Sequence, residues 1–277
     1  MSTFAIRIPC HSADHQILSA MLFTEAVEGI EELDDGLMVF IESDKWEDEK
    51  AILERICAPF QRGPMTIEEI QDQNWNAEWE KTIKPVNVGG FWIRPTWNHD
   101  PTPEGHIEII VDPKMSFGTG YHESTRLMLG ALKNVLKEGD RVLDAGTGTG
   151  VLAFAALKLG AARADAFDYD PICKENSLEN AALNDLSDRY SVQVGTEEVV
   201  VGQDYDVVMA NINREALRSM LPALKDLLAT NGKIGLAGLL TSDRDVMLGV
   251  ISDLGMSVVS ESNEGEWWSV WAGKGSE

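Results

Sequence analysis

Cysteine is scarce in this sequence: three in 277 residues, Cys10, Cys57 and Cys173, far apart and with no CxxC pair. That spacing excludes a disulfide framework and a zinc site, so no metal is expected, and the thiols read as reduced. Long apolar runs are missing too. No stretch approaches the ~20 residues that cross a bilayer, so a membrane partner is not expected. The N-terminal MSTFAIRIPCHSADHQ lacks a basic flank, an apolar core and a small-residue cleavage site, which leaves the cytoplasm as the expected location. Positive charge is also in short supply, with 23 Lys and Arg against 46 Asp and Glu, a net charge of -23. Such a surface repels nucleic-acid phosphates at long range and suits a basic partner.

What is present suggests two domains, given roughly 150 residues per domain. Residues 1–62 alternate short strand and helix signals. TFAIRI and GLMVFIE read as strands, helices follow around Ile17 to Val27 and over WEDEKAILERICAPF, and MTIEEI adds a third strand. This predicts a small α+β, ferredoxin-like domain, punctuated by Gly63 and Pro64. Residues 63–100 read as a linker holding Trp75, Trp79, Trp92 and Trp97, four of the eight tryptophans. Each can bury about 200 Å², either against the following domain or as a substrate-facing wall. The glycines at 89 and 90 would permit the domains to move relative to each other.

Residues 101–277 change to repeated strand and helix units: RVLDA then VLAFAALKLG, ADAFDYD then PICKENSLENAALNDL, with YSVQVG, YDVVMANI and KIGLAGLL as further strands. Helices are expected near Glu215–Leu228 and Asp243–Leu254. Repeated βα units imply a mainly parallel sheet with helices on both faces, an α/β fold. Only NEG separates MSVVSES from EWWSVWAG, so the last two strands should form an antiparallel hairpin at the sheet edge.

In such sheets the ligand crevice lies beyond the carboxyl ends of the strands. LDAGTGTG, Leu143 to Gly150, occupies that position after the first strand. A P-loop would need Lys and Ser or Thr after its last glycine, where Val151 and Leu152 stand. The dinucleotide fingerprint would place Gly or Ala at Val151, which argues against NAD. The pattern D-x-G-x-G-x-G, with its strand before and helix after, resembles motif I of the class I S-adenosylmethionine-dependent methyltransferases, whose Rossmann-like sheet has seven strands. Asp144, Gly146 and Gly148 are therefore candidate cofactor contacts. Asp168 closes the second strand, 24 positions after Asp144, about where a carboxylate grips ribose hydroxyls, and Tyr169 could lie against adenine. Asp170 precedes Pro171 and reads as a helix cap. Asn211, at the end of the fourth strand, could orient a nucleophilic amine through its side-chain amide, or serve only a turn.

A second glycine-rich run precedes the first. DPKMSFGTGYHEST from Asp112, together with LDAGTGTGVLAFAALKLGA, AFDYDP, MANI and the EGEW at Glu264 to Trp267, resembles the PrmA family of ribosomal-protein methyltransferases. NWNAEWEKTIKP resembles the segment joining that family's two domains. The resemblance implies methylation of amino groups, N-terminal or lysine, on protein eleven of the large ribosomal subunit, with S-adenosylhomocysteine as product. It further implies that Phe117, Gly118, Thr119 and Gly120 cover the methionine end of the cofactor, that His122 and Thr125 continue this motif, and that Asn211 lies beside the acceptor amine. The two loops would close on one ligand from opposite sides. Residues 1–62 would recognise the ribosomal protein, and the enzyme is expected to be a monomer. Asn213-Arg214 departs from the small apolar pair usual after Asn-Ile, and Ser124 stands where threonine is common.

His122 is the one base in these loops with a pKa suited to proton transfer, although it could instead position the loop by hydrogen bonding. Two other functions fit the same motifs less well: a non-catalytic S-adenosylmethionine-binding assembly factor and a methyltransferase of small amines. The first has no use for an open acceptor channel, and the second gives residues 1–62 no purpose.

Overall fold

The computed structural model describes residues 2–22, 27–71, 83–114, 116–200 and 204–274. The chain divides into two compact units, 1–82 and 83–277. Among the described residues no helix is long and apolar enough to cross a membrane.

The first unit runs β1 (Ser2–Pro9), α1 (His15–Leu22), β2 (Val27–Leu33), β3 (Gly36–Glu42), α2 (Trp46–Cys57) and β4 (Thr66–Gln71). Its sheet has the order β2-β3-β1-β4 with every neighbouring pair antiparallel, the split β-α-β arrangement. Ile6 and Ile8 alternate with outward residues on β1, and they meet Leu37, Val39 and Ile41 of β3 beneath Leu18 and Leu53. Cys10 and Cys57 are buried in this core as free thiols.

Two sequence expectations differ here. The helix expected through Val27 is described over His15–Leu22, residues 23–26 lie outside the described residues, and Val27 opens a strand that the sequence did not announce. A register shift between Val27 and Gly29 breaks the two-residue alternation by which a strand is recognised. The first sheet also takes in Thr66–Gln71, past the boundary read at residue 62, because β4 pairs along almost the whole of β1.

The second unit starts with a small sheet of β5 (Val86–Val88), β6 (Phe91–Arg94) and β7 (Ile107–Ile110). Residues 83–100 are thus built into the second unit. Gly89 and Gly90 are the two-residue turn of the β5-β6 hairpin, with φ of +57° and +81°, the geometry that such a turn demands. Trp92 and Trp97 are half-buried in this region, while Trp75 and Trp79 lie outside the described residues.

The seven-stranded sheet follows. In chain order it contains α3 (Glu123–Val135), β8 (Arg141–Ala145), α4 (Val151–Lys158), β9 (Arg163–Asp168), α5 (Pro171–Leu183), β10 (Tyr190–Val194), β11 (Tyr205–Asn211), α6 (Arg214–Asp226), β12 (Leu228–Leu240), α7 (Arg244–Asp253), β13 (Met256–Glu264) and β14 (Trp267–Lys274). The strand order is β10-β9-β8-β11-β12-β14-β13. Five strands are parallel, and β14 runs antiparallel to both β12 and β13. The C-terminal hairpin therefore forms the sheet edge, as its short connection predicts.

Alternate residues of each strand face opposite layers. Val142, Val207 and Met209 join one core with α4, Phe91, Ile93 and Met128. Leu143, Val208, Ala210 and Leu236 join the other with Leu217, Leu221 and Leu224 of α6. Helix α4 is buried from Val151 to Leu157, which explains a composition of Val, Leu, Ala and Phe with no polar face.

Candidate active site

Strand order reverses between β8 and β11, and the loops leaving their carboxyl ends diverge there. A cavity of about 720 Å³ lies at this point, within the range of ordinary small-molecule sites. Of the residues read from the sequence, Phe117, His122, Gly146, Gly148, Asp168, Tyr169 and Asn211 line it.

Each arrives there for a local reason. Gly146 and Gly148 take φ of +74° and +54°, a region that side chains rarely adopt. A Cβ on Gly148 would stand 2.3 Å from the Phe117 carbonyl oxygen. The glycine loop is shaped by Asp168, whose Oδ2 accepts from the Gly148 amide at 2.9 Å and whose Oδ1 accepts from the Asp170 amide at 3.1 Å. The carboxylate oxygens have acceptor capacity beyond these two bonds, part of it met by the Cys173 thiol. Tyr169 is 81% exposed beside it, a ring free to stack. Asp170 caps α5 through Oδ1, which accepts from the Ile172 amide at 2.9 Å.

The two glycine-rich loops are bonded to each other, so they make one wall and do not face each other across the cavity. The Thr149 amide donates to the Phe117 carbonyl at 2.9 Å and the Thr149 hydroxyl donates to the Gly118 carbonyl at 2.7 Å. Phe117 reaches the cavity, and Gly118, Thr119 and Gly120 do not line it. These three form the turn that lets the loops approach so closely.

Asp144 does not line the cavity either. It is buried beneath the loop, where Oδ2 accepts from the Thr147 hydroxyl at 2.8 Å and the Ala153 amide at 3.2 Å. Burial, opposed by these two hydrogen bonds, pushes its carboxyl up to about 7. A charged carboxylate in that place has too little solvation to be stable.

His122 is the N-cap of α3. Its Nδ1 accepts from the Ser124 amide at 3.2 Å and from the Ser124 hydroxyl at 2.8 Å. In the neutral ring the proton then resides on Nε2, and the sole basic lone pair is already used by the helix terminus. The ring is held edge-on between Phe117 and Trp267, with centroids 5.2 Å and 4.3 Å away. The Nδ1 lone pair is thus engaged at the helix terminus, which is the geometry of the loop-positioning alternative.

Asn211 has a different environment. Its Nδ2 donates to Oγ1 of buried Thr125 at 3.2 Å, and its buried Oδ1 has no partner among the described residues. An amide oxygen left in this state is costly unless a ligand N–H meets it. Thr125 is thus an orienting residue behind Asn211, outside the cavity lining.

Several lining residues escaped the sequence reading: Ile212, Ala216, Met220, Gly238 and Trp267. Trp267 opens β14 and comes within reach because the hairpin is tied to α3. Arg126 donates to Glu264 from Nη2 at 2.6 Å and from Nε at 3.0 Å. The EGEW segment was visible in the sequence, but its position beside His122 depends on the long-range pairing of β14 with β12 together with that ion pair. The departure at Asn213-Arg214 also has a local reason: Asn213 caps α6 by accepting from the Ala216 amide at 3.0 Å, and Arg214 pairs with Asp243 at 2.6 Å.

The chain is similar to known proteins. A chain named ribosomal protein L11 methyltransferase from Myxococcus xanthus is 38% identical over 217 residues, covering 77% of this chain and 74% of its own. One of the same name from Chlorobaculum parvum is 35% identical over 264 residues, covering 92% and 91%. A crystal structure of ribosomal protein L11 methylase from Lactobacillus delbrueckii subsp. bulgaricus superposes with a TM-score of 0.66 at 26% identity, covering 70% of this chain and all of that one. The family model described as Ribosomal protein L11 methyltransferase (PrmA) matches residues 9–274, and the chain belongs to that methyltransferase family.

Proposed function

We propose that this enzyme methylates amino nitrogens of ribosomal protein L11, with S-adenosylmethionine as donor. The observation that carries the reading is Asn211, which lines a cavity shared with the glycine loop and Asp168 and whose buried Oδ1 has no partner among the described residues. A buried acceptor of this kind is matched by the N–H of an incoming amine.

The residues fit the donor. Gly146 and Gly148 admit a close backbone approach, Asp168 has lone pairs free for ribose hydroxyls, Tyr169 offers a face for adenine, and Phe117 covers the methionine end. When bound, the donor supplies a methyl group on a positively charged sulfur that leaves readily as S-adenosylhomocysteine.

The protein's own contribution is placement and exclusion of water. Thr125 fixes the Asn211 amide, leaving Oδ1 to hold the amine in line with the methyl carbon. Phe117, Trp267, Ile212 and Met220 give the cavity apolar walls that keep out competing water. The amine must arrive uncharged. With the His122 lone pair committed to the helix cap, its proton passes to solvent, which is easier for an α-amine near pKa 7.7–8.0 than for a lysine near 10.4. Desolvation in the cavity lowers both.

The net charge of -23 favours encounter with a basic ribosomal protein. In this reading the first unit recognises that protein, and the enzyme works as a cytoplasmic monomer. Mass spectrometry of L11 incubated with enzyme and S-adenosylmethionine tests the proposal. Methyl increments on amino groups are expected, and an unmodified L11 would overturn it.

A further inference from the structure

Helix α5 carries Asn176 and Asn180 one turn apart, and Asn184 follows at the same spacing just past its end. All three are buried, and Asn180 is fully so. Buried asparagines need partners, and the side-chain nitrogens of all three and the oxygens of Asn180 and Asn184 find them in the backbone of the segment that leads from β7 to Phe117, while Asn176 Oδ1 has none among the described residues. Asn184 accepts from the Ile110 amide at 2.9 Å and donates to the Ile110 carbonyl at 2.6 Å, as a neighbouring strand would. Asn180 accepts from the Asp112 amide at 3.0 Å and donates to the Asp112 carbonyl at 3.3 Å. Asn176 adds a bond to the same carbonyl at 2.8 Å. The Asp112 side chain is also engaged, accepting from the Thr96 amide and hydroxyl at 2.8 Å each.

Asn180 makes one contact that the other two do not. Its Nδ2 also donates to the Thr149 carbonyl at 3.1 Å, and Thr149 is the residue of the glycine loop that holds Phe117 and Gly118. Asp112, Asn180, Thr149 and Phe117 are therefore linked in sequence by hydrogen bonds. We infer that Asn180, which does not line the cavity, is a positioning residue that locks the two glycine-rich loops into one surface and so sets donor affinity. The inference rests on the cavity being the donor site.

An aspartate at this position is the most direct probe. It keeps the acceptor for the Asp112 amide and turns the amide donor into an oxygen facing the carbonyls of Asp112 and Thr149. Asn184→Asp alters the same ladder where it does not reach the glycine loop. Thr149→Val removes one of the two bonds between the loops, the hydroxyl bond to the Gly118 carbonyl, and keeps the backbone bonds of Thr149 to Phe117 and Asn180.

Calorimetry with S-adenosylhomocysteine, melting temperature and amide hydrogen exchange at Asp112 and Thr149 together read the effect. Asn180→Asp and Thr149→Val should each weaken binding about tenfold or more, as expected for breaking a buried polar linkage. Asn184→Asp, at a comparable loss of melting temperature, should stay within about threefold, since it leaves the loops joined. Under saturating donor the turnover of Asn180→Asp should recover most of its wild-type value, so that KM carries the loss. Exchange at Thr149 should quicken in Asn180→Asp and not in Asn184→Asp.

Equal affinity losses in Asn180→Asp and Asn184→Asp at matched stability would overturn the inference. A wild-type chain that binds neither donor nor product would overturn the assignment of the cavity, while the exchange contrast, which needs no ligand, would still decide whether Asn180 joins the loops.

Discussion

The Asn211 side-chain nitrogen donates to the Thr125 hydroxyl oxygen at 3.2 Å, across 86 residues of sequence. That bond uses one end of the amide and leaves the oxygen end without a partner among the described residues, the end that the proposed function gives to the acceptor nitrogen. Replacing Asn211 with Ala should lower kcat on the order of 100-fold or more while S-adenosylhomocysteine still binds, because an oriented group is lost and the donor cradle is not. Thr125→Val should cost about tenfold through misalignment of the amide. Single-turnover kinetics beside calorimetry checks both, and a loss of donor binding that matches the loss of rate would refute the division of labour.

His122 can be tested as a cap. Asn is among the best N-cap residues, so His122→Asn should keep α3 intact and retain turnover within a few-fold. The shape of the pH-rate profile should be unchanged. A loss of 100-fold or more together with disappearance of a limb near pH 6–7 would restore the general-base role.

Asp144 predicts a pH-dependent stability. Its folded carboxyl titrates at about 7, above the unfolded value of about 3.9. The folded state thus holds a proton that the unfolded chain has released over that window. The stabilisation is complete below about pH 4 and is lost as pH rises to about 7. Asp144→Asn cannot ionise. Its melting temperature relative to wild type should therefore rise by several degrees between pH 5 and pH 8, and a constant difference would show that the buried carboxyl does not titrate in this range.

Two glycines should respond in opposite directions. Gly148→Ala puts a Cβ 2.3 Å from the Phe117 carbonyl at a φ of +54°, and should cost well over 1 kcal/mol with loss of donor binding. Gly249, in α7, has open space around its Cα. Gly249→Ala should stabilise by about 0.4–1 kcal/mol, or roughly 1–4 °C in melting temperature. Thermal unfolding of the two variants is the measurement, and destabilisation by Gly249→Ala would count against the helix assignment there.

The parts legible from sequence are those with local causes. The alternation of RVLDA with VLAFAALK needs only the periods of strand and helix, and Asp170 before Pro171 needs only the geometry of a helix start. Glycines in D-x-G-x-G-x-G announce a backbone that side chains would block, and the two residues between β13 and β14 leave them no option but an antiparallel pair. Asp168 and Asn211 follow from their places at strand ends.

What the sequence could not disclose has long-range causes. Asp144 and Asp168 each end a strand with a carboxylate, yet one is buried under the loop and the other faces the cavity, a difference set by the turn at Gly146 and the packing of α4. The asparagines at 176, 180 and 184 look like ordinary polar residues until β7 and the glycine loop are brought against them. Trp267 belongs to the site because β14 pairs with β12, setting it opposite Leu240, and Arg126 ties the neighbouring Glu264 to α3. Short-range sterics and periodicity settled the elements and the motif. The identity of each side chain's neighbour was decided by the tertiary structure, because burial and hydrogen-bond satisfaction depend on segments that the chain order keeps far apart.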